Sequence, residues 1–373
     1  MGKNQGDLDV RYHVLSDMVF RPHDAEDERF AERAAKDMEM RRKGRWFTSL
    51  GYAPPSGKVY CGQTQRDASF LHEFDPATGE FRDLGYKAIS EDHEMKIHRG
   101  LWYDPERNSL YFGVASLSPI RNLVGSPGGR LIRYDIAAGE FEILGIPLAE
   151  NYIQASVYDP ERQLMYAFTE PTQSFAVWSI ADKKLRRAHC MESIVHVTDL
   201  DDRGGVWGTY SHQHAFFRYD PDADRFEFPK GCVLPTAQRA SGIMYLSAGP
   251  VDCCINGGNG KMLIGSALGE LYELDPETYE IEYLGRPLPA NRLPGLRVTE
   301  AGIIYGVGGD SNATTVFRYD RAARRFDILG KVQADDGKAC YRPHDLVVTG
   351  DTLYVAETDT PKRCGYLWEC RVR

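Results

Sequence analysis

Short runs of apolar residues, often alternating with polar ones, occur along most of this chain, and turn-forming residues separate them. Short runs bounded by Gly, Pro and Asp are typical of β-strands, whereas a helix needs a longer periodic segment. Two turns are nearly identical, at residues 103–107 and 158–162, and each precedes an apolar run, at 110–115 and 164–168. The pattern therefore predicts an all-β fold assembled from successive hairpins.

A longer unit recurs on top of this pattern. In each copy a strand ends in Asp after Tyr, Phe or Leu, a turn follows, and a second strand completes the hairpin. Copies lie at residues 71–85, 131–145, 216–228, 271–285 and 316–330, with a degenerate one at 176–188. A spacing of 41 to 60 residues separates the equivalent positions Asp75, Asp135, Ser179, Asp220, Asp275 and Asp320. That period is typical of the four-stranded blades of a β-propeller.

The two ends of the chain complement each other. Seven units carry the three inner strands of a blade, but the seventh stops at residues 366–372 and lacks an outer strand. Residues 10–16 have no hairpin partner of their own. We expect them to pair beside 366–372 and close the ring, because closure removes sheet edges that otherwise aggregate. The sequence predicts one seven-bladed β-propeller domain over residues 1–373, with its blades at 45–373.

Three segments depart from the repeat. Residues 24–43 have helical spacing of apolar positions and many charged neighbours, and predict a surface helix between the closing strand and the first blade. Residues 116–129 and 232–250 are long insertions between strands. Insertions of this length are usually functional or disordered.

The composition of the chain disfavours some classes of binding partner. The formal net charge of −9 argues against broad binding to nucleic acid or to an anionic membrane. No stretch approaches the ~20 apolar residues that span a bilayer, and the N-terminal segment lacks the apolar centre of a signal peptide. The eight cysteines form no Cys-x-x-Cys pair, which predicts reduced thiols and a cytoplasmic protein.

The candidate chemistry follows from the repeat. In a propeller, the starts of the innermost strands and the ends of the second strands meet at one mouth of the central channel, the default ligand site. Three of the ten histidines fall at the start of an innermost strand: His98, His196 and His344. The other polar residues expected at this mouth are Arg99, Tyr152, Gln154, Glu170, His212, His214, Arg342 and Glu357.

Imidazole titrates near neutral pH, so it serves as an acid, a base or a metal ligand. The residues expected to act as acid or base are His98, Tyr152, His196 and His212. Those expected to contact the substrate are Arg99, Gln154, His214 and Arg342. A divalent metal ion held by His196 and His344 is an alternative use of the same imidazoles. Glu170 and Glu357 keep a two-carboxylate glycosidase open as well.

The blade repeat and the histidine-rich mouth resemble the seven-bladed propeller polysaccharide lyases that act on ulvan, oligogalacturonate or rhamnose–glucuronate chains. This resemblance implies β-elimination at a uronic acid, with an oligosaccharide as partner. A cation would neutralise the C6 carboxylate, a His or Tyr would remove the C5 proton, and a second group would protonate the leaving oxygen. The alternatives are a metal-dependent hydrolase of a small molecule, as in lactonase-type propellers, and a non-catalytic sugar-binding or interaction propeller.

Overall fold

A computed structural model describes residues 7–19, 44–65, 68–116, 125–244 and 248–373. Regular structure in these ranges is almost entirely antiparallel β-sheet. The helical parts are one 3₁₀ turn at Tyr86–Ala88 and one short helix, α1, at Ala237–Ala240. The prediction of an all-β fold is confirmed.

The strands follow the sequence repeat. Strand β1 (Leu8–His13) is the first strand of the described residues, and it pairs with the last strand of the chain. The next two runs of four strands are β2 (Trp46–Ala53), β3 (Lys58–Thr64), β4 (Leu71–Asp75) and β5 (Glu80–Asp83), then β6 (Glu94–Asp104), β7 (Ser109–Ser116), β8 (Leu131–Asp135) and β9 (Glu140–Gly145). The third sheet is β10 (Tyr152–Asp159), β11 (Leu164–Glu170), β12 (Ser174–Ser179) and β13 (Lys184–Cys190).

The second half of the chain repeats this arrangement. A three-stranded sheet comprises β14 (Val206–Tyr210), β15 (Ala215–Asp220) and β16 (Arg225–Glu227). Two four-stranded sheets follow, first β17 (Val251–Asn256), β18 (Met262–Ser266), β19 (Leu271–Leu274) and β20 (Ile281–Gly285), then β21 (Gly295–Val298), β22 (Ile304–Gly308), β23 (Thr315–Asp320) and β24 (Arg325–Lys331). The last strands are β25 (Pro343–Thr349), β26 (Thr352–Glu357) and β27 (Leu367–Val372).

The N-terminal strand pairs with the C-terminal one, as the sequence predicted, but it spans Leu8–His13 instead of the predicted residues 10–16. β1 lies antiparallel beside β27, with Leu8 opposite Val372 and His13 opposite Leu367. The sheet order is β1–β27–β26–β25, so the first strand supplies the fourth, outer position. Leu8 and Val10 are buried in a cluster that also contains Leu329 of β24.

The repeated aspartates build the turns between the strands of each hairpin. Asp75, Asp135, Asp220, Asp275 and Asp320 each accept a hydrogen bond from a backbone N–H two or three residues further on. A carboxylate that bonds to its own turn in this way favours reversal of the chain at that point. The local signal in the sequence therefore has a direct structural cause.

Two features differ from a simple repeat of separate blades. Thr64 of β3 pairs with Lys96 of β6, which joins the first two runs of four into one eight-stranded sheet. The expected innermost strand before β14 is missing, apart from an isolated bridge between Leu200 and Val206. Val197 of that segment instead accepts a hydrogen bond from the backbone N–H of Cys254, in the next sheet.

The apolar core lies between the faces of neighbouring sheets. Phe47 and Leu50 of β2, for example, pack with Val347 of β25 and Tyr354 of β26. The inner strands contact one another in the order β25, β2, β6 and β10, and again in the order β17, β21 and β25. This arrangement around a common centre is consistent with a propeller. The number of blades stays a prediction.

Three predicted segments lie wholly or partly outside the described residues. The helix expected at 24–43 falls outside them, as do residues 117–124 of the first insertion and 245–247 of the second. The described part of the second insertion contains α1. All eight cysteines are free, and Cys190 alone among them is exposed. No helix in the described ranges is both long and apolar enough to cross a membrane.

Candidate functional site

A wide bulge in β6 shapes the centre of the molecule. Ile97 pairs with Val114 and Leu101 pairs with Phe112, so three residues of β6 occupy the place of one on β7. Arg99 and Gly100 have positive φ angles of 53° and 94°. A Cβ atom on Gly100 would lie 2.1 Å from the Ser156 carbonyl oxygen, so this position requires glycine.

The bulge carries Arg99 into the middle of the ring. Its Nη1 donates hydrogen bonds to the backbone carbonyl oxygens of Asp252, at 3.2 Å, and Pro294, at 3.5 Å. Asp252 belongs to β17 and Pro294 precedes β21, and neither sheet neighbours β6 in the order of the inner strands. The Arg99 side chain therefore crosses the channel, and it is 1% exposed.

The buried carboxylate of Asp252 balances part of this charge. It accepts hydrogen bonds from Arg292 at 2.7 and 3.1 Å and from the Leu293 N–H at 3.2 Å, and Arg99 lies 3.6 Å away. Burial alone would raise the pKa of Asp252, but the two guanidinium groups outweigh burial and lower it. The carboxylate is therefore the anion that keeps two cations in the interior.

The three histidines predicted to share one hollow converge on this cluster. His98 and His344 are in ring contact, with centroids 4.9 Å apart. The Nδ1 atoms of His98 and His344 lie 2.7 and 2.9 Å from the carbonyl oxygens of Gln154 and Thr48. A carbonyl accepts only, so we assign the proton of each ring to Nδ1 and leave Nε2 as an acceptor. All three side chains are buried.

The environment keeps these imidazoles neutral. Burial lowers the pKa of His196 to about 3, and the nearby charge of Arg99 adds to the effect. Burial also lowers the pKa of His98 and of His344 well below the usual value, again with a contribution from Arg99. Neutral imidazoles accept protons or bind metal, but they supply no positive charge for a substrate carboxylate.

We expect His196→Asn to reduce the acid sensitivity of the fold. A histidine with a depressed pKa in the folded state binds fewer protons than in the unfolded state, so its stability contribution is present above the unfolded value near 6.5 and is lost as the pH falls. From pH 7 to pH 5 the loss in the natural protein should exceed that in the variant by about 2 kcal/mol. Urea unfolding at several pH values measures the difference.

The control for this prediction is His212→Asn, because His212 is exposed on the turn between β14 and β15. This variant keeps the buried His196 imidazole, so it should retain the acid sensitivity that His196 causes. An equal slope in the His196→Asn variant and in the natural protein would contradict a buried, neutral imidazole at position 196.

A second polar group lies where β6 and β10 begin. Tyr152 and Glu170 are opposite each other on β10 and β11, and the Lys96 ammonium group lies 5.4 Å from the centre of the Tyr152 ring. The Glu170 side chain is buried, and its Oε1 atom has no hydrogen-bond partner among the described residues. Burial raises the pKa of Glu170 to about 7, although Lys96 opposes the shift.

The remaining predicted site residues have other surroundings. His214 lies half-buried on the same turn as His212, with its Nδ1 atom 2.8 Å from the Ser193 hydroxyl. Arg342 forms ion pairs of 3.0 Å with both Asp310 and Asp359. Glu357 is fully buried and held by a bidentate pair with Arg363, at 2.8 and 2.9 Å. These groups are already neutralised or bonded, and their predicted roles stay predictions.

Sequence reasoning assigned no chemical role to three important residues, Asp252, Lys96 and Arg292. Asp252 occupies the start of an inner strand, as His98, His196 and His344 do, so its position in the repeat was a usable signal. Lys96 precedes the bulge by two residues and carries no pattern of its own. Arg292 lies in a loop before β21, with a positive φ of 76°, and only the three-dimensional arrangement identifies it.

The described part of the chain contains no group of three or more His, Cys, Asp or Glu side chains arranged to hold a metal ion. The metal expected on His196 and His344 stays a prediction. In His98 and His344 the Nδ1–H donates to a backbone carbonyl oxygen. Histidines that bind metal through Nε2 commonly make the same hydrogen bond. His196 has a backbone hydrogen bond of its own at Val251.

Comparison with known proteins identifies the fold. No family model matches the chain, and no curated protein matches its sequence. A catalytically inactive histidine-to-alanine variant of virginiamycin B lyase from Staphylococcus aureus, solved with quinupristin, superposes with a TM-score of 0.63 at 11% identity, covering 98% of this chain and 100% of that one. The RRP9 WD40 repeats give 0.61 at 10% identity, with the same coverage.

A third similar structure is the extracellular domain of a putative hybrid two-component system, BT4673 from B. thetaiotaomicron, with a TM-score of 0.57 at 12% identity. The match covers 87% of this chain, which spans 38% of the length of that one. At such identities the likeness shows the fold alone, a β-propeller type. No sequence match supports the resemblance to polysaccharide lyases.

Proposed function

We propose that this chain is a seven-bladed propeller enzyme that cleaves a uronic-acid-containing oligosaccharide by β-elimination. The site would be the channel mouth where β6 and β10 begin. The observation that carries the proposal is the Glu170 carboxyl group, which is buried beside Lys96 and Tyr152 with a pKa raised to about 7. A general base is most effective when its pKa lies near the working pH.

Each member of this group has a chemical role in the proposed reaction. The Glu170 carboxylate removes the C5 proton, and Lys96 pairs with the C6 carboxylate, which makes that proton more acidic. The electron pair of the C5–H bond forms the C4–C5 double bond as the C4–O bond breaks. Tyr152 donates its phenolic proton to the leaving oxygen. Proton exchange with solvent restores both groups.

His98 would act as a positioning residue in this scheme. Its Nδ1 donates to the carbonyl oxygen of Gln154, two residues after Tyr152, at 2.7 Å. That bond ties the bulge of β6 to the start of β10, so it fixes Lys96 relative to Tyr152. His214 and Arg342 would contact sugar units further along the rim, with His212 beside them as a third polar group.

Three further observations support parts of the proposal. The described residues form seven antiparallel groups of strands when the eight-stranded sheet is divided at the Thr64–Lys96 pair. One protein with a similar fold is named a lyase, so this fold is compatible with that chemistry. Eight free cysteines favour a reducing compartment, and therefore the cytoplasm.

We expect Glu170→Gln to lower the turnover number by about 100-fold or more, because the amide cannot accept the C5 proton. Ultraviolet absorbance of the unsaturated product, followed over a panel of uronate oligosaccharides, measures the rate. In the natural enzyme the rate should increase as the pH rises through about 7, where Glu170 becomes ionised.

The matched control is Glu161→Gln, since Glu161 lies on the turn between β10 and β11 with its side chain 82% exposed. Its activity should equal that of the natural enzyme.

A raised carboxyl pKa favours the protonated form in the folded state, so Glu170 should weaken the fold at pH 8 relative to pH 4. Glu170→Gln should remove this loss, roughly 2–3 kcal/mol. Full activity of that variant would contradict the proposed base.

A non-catalytic sugar-binding propeller is the second candidate. The observation in its favour is that the three histidines and the proposed base Glu170 are all at most 8% exposed, so a sugar at the surface would contact few of their atoms. Binding of intact oligosaccharide without any unsaturated product would select this function. Elemental analysis of the purified protein tests the metal-dependent alternative, which requires about one divalent ion per chain.

A further inference from the structure

A cavity of about 320 Å³ lies on the opposite side of Arg99 from the mouth with Glu170. It is lined by the second halves of the inner strands, from Arg99 at its inner end to Tyr103 beside the turn that follows β6. Its volume is at the lower end of the range for small-molecule sites. The cavity is therefore large enough for a small organic molecule and too small for a polymer.

Part of the cavity wall is apolar. The side chains that form it include Leu50, Leu101, Val197, Ile255, Val298 and Val347, each from a different inner strand or inner segment. The indole of Trp102 also lies on the wall, where its Nε1 donates to the Ser156 carbonyl oxygen at 2.7 Å. A wall that combines apolar side chains with polar groups suits an occupant with an apolar body and one polar end.

The inner end of the cavity provides a cation with incomplete pairing. The Arg99 side chain is 1% exposed, and its Nε atom has no hydrogen-bond partner among the described residues. The nearest carboxylate, that of Asp252, is bonded to Arg292 at 2.7 Å and lies 3.6 Å from Arg99. Arg99 therefore has no carboxylate of its own within hydrogen-bond distance.

The acidic groups of the cavity wall are already bonded. Asp345 accepts hydrogen bonds from Arg297 at 2.9 Å and from the backbone N–H groups of Leu50 and Leu346, both at 2.8 Å. Asp199 accepts from the backbone N–H groups of Leu200 and Asn256. No hydrogen bond joins either carboxylate to Arg99 among the described residues, although the charge of Asp345 acts on Arg99, so the guanidinium is the cation that an incoming anion would meet at the inner end.

We propose that this cavity binds a small monocarboxylate with an apolar body about the size of one ring, its carboxylate on Arg99 and its body against Trp102 and the aliphatic wall. A carboxylate accepts the Arg99 Nε–H in a charge-assisted hydrogen bond, which is stronger than a bond between neutral groups. This site is separate from the proposed lyase site and does not depend on it.

Calorimetric titration of the full chain with phenylacetate and with phenylacetamide tests the proposal. The acid should bind at least about tenfold more tightly than the amide, because only the acid brings a negative charge to Arg99. Arg99→Gln should weaken phenylacetate binding by a similar factor and should leave the amide unaffected. Equal affinity of acid and amide for the natural protein, or no binding of either, would overturn the proposal.

Arg99 is buried in a charged cluster, so a second variant is needed in case Arg99→Gln does not fold. Val298 is half-buried on the cavity wall, and Val298→Trp should fill the space and abolish phenylacetate binding. The matched control is Val14→Trp, at an exposed position outside the cavity. It should bind like the natural protein. Binding that survives Val298→Trp would place the ligand elsewhere and refute the site.

Discussion

Replacing Asp252 with asparagine is expected to lower the free energy of unfolding by about 3–5 kcal/mol, the usual cost of removing one partner from a buried ion pair. Asn has nearly the same size as Asp, so packing changes little. The variant leaves Arg99 and Arg292 in the interior with no carboxylate between them, and both guanidinium groups are almost completely buried. Chemical denaturation at constant pH measures the loss.

The control for this prediction is Asp351→Asn. Asp351 pairs with Arg371 at 3.2 Å, but both side chains are more than half exposed. Exposed pairs contribute little, so the change should stay within about 0.5 kcal/mol. If Asp252→Asn were as stable as Asp351→Asn, the central cluster would not depend on its charge balance.

Substitution of Val10 with asparagine is expected to cost about 3–4 kcal/mol. Val10 lies on β1 opposite Cys370 and is buried in the cluster that links β1 and β27 to β24. The variant loses apolar contacts and buries a side-chain amide in an apolar cluster, where it loses its hydrogen bonds to water. Weak attachment of β1 also exposes the edge of β27, which favours association between chains. Thermal unfolding and size-exclusion chromatography measure both effects.

Arg11→Asn is the matched substitution on the neighbouring residue, whose side chain is 70% exposed. It should leave the melting temperature and the elution volume unchanged. If Val10→Asn behaved in the same way, the pairing of the two chain ends would contribute nothing to stability. That result would contradict closure of the sheet by β1.

The sequence was informative wherever the structure depends on local chemistry. The turn aspartates, such as Asp135 and Asp275, are visible because each bonds to its own turn. The pairing of β1 with β27 could be predicted because the last repeat lacks an outer strand and the N-terminal strand has no hairpin partner of its own. The absence of a strand at 193–199 could not be predicted. It depends on a long-range hydrogen bond, in which the Cys254 N–H donates to the Val197 carbonyl oxygen.

The chemistry of the candidate site was only partly predictable, because it too depends on contacts between residues far apart in the sequence. Equivalent positions in the repeat placed His98, His196 and His344 near one another, and His98 and His344 are in ring contact. Burial cannot be read from such positions, so the depressed pKa of His196 was not foreseen. The reach of Arg99 across the channel results from a bulge of two additional residues, which leaves no recognisable pattern in the sequence.

Arg99 lies between two chemically different regions, since its charge acts on His196 and His344 while the residue also lines the cavity. An anion bound beside Arg99 would partly offset that charge and make the imidazoles more basic. Protonated imidazoles would in turn attract the anion more strongly. Thermodynamic reciprocity requires both effects to have the same magnitude, so anion binding and imidazole protonation would be coupled through one guanidinium group without any movement of the sheets.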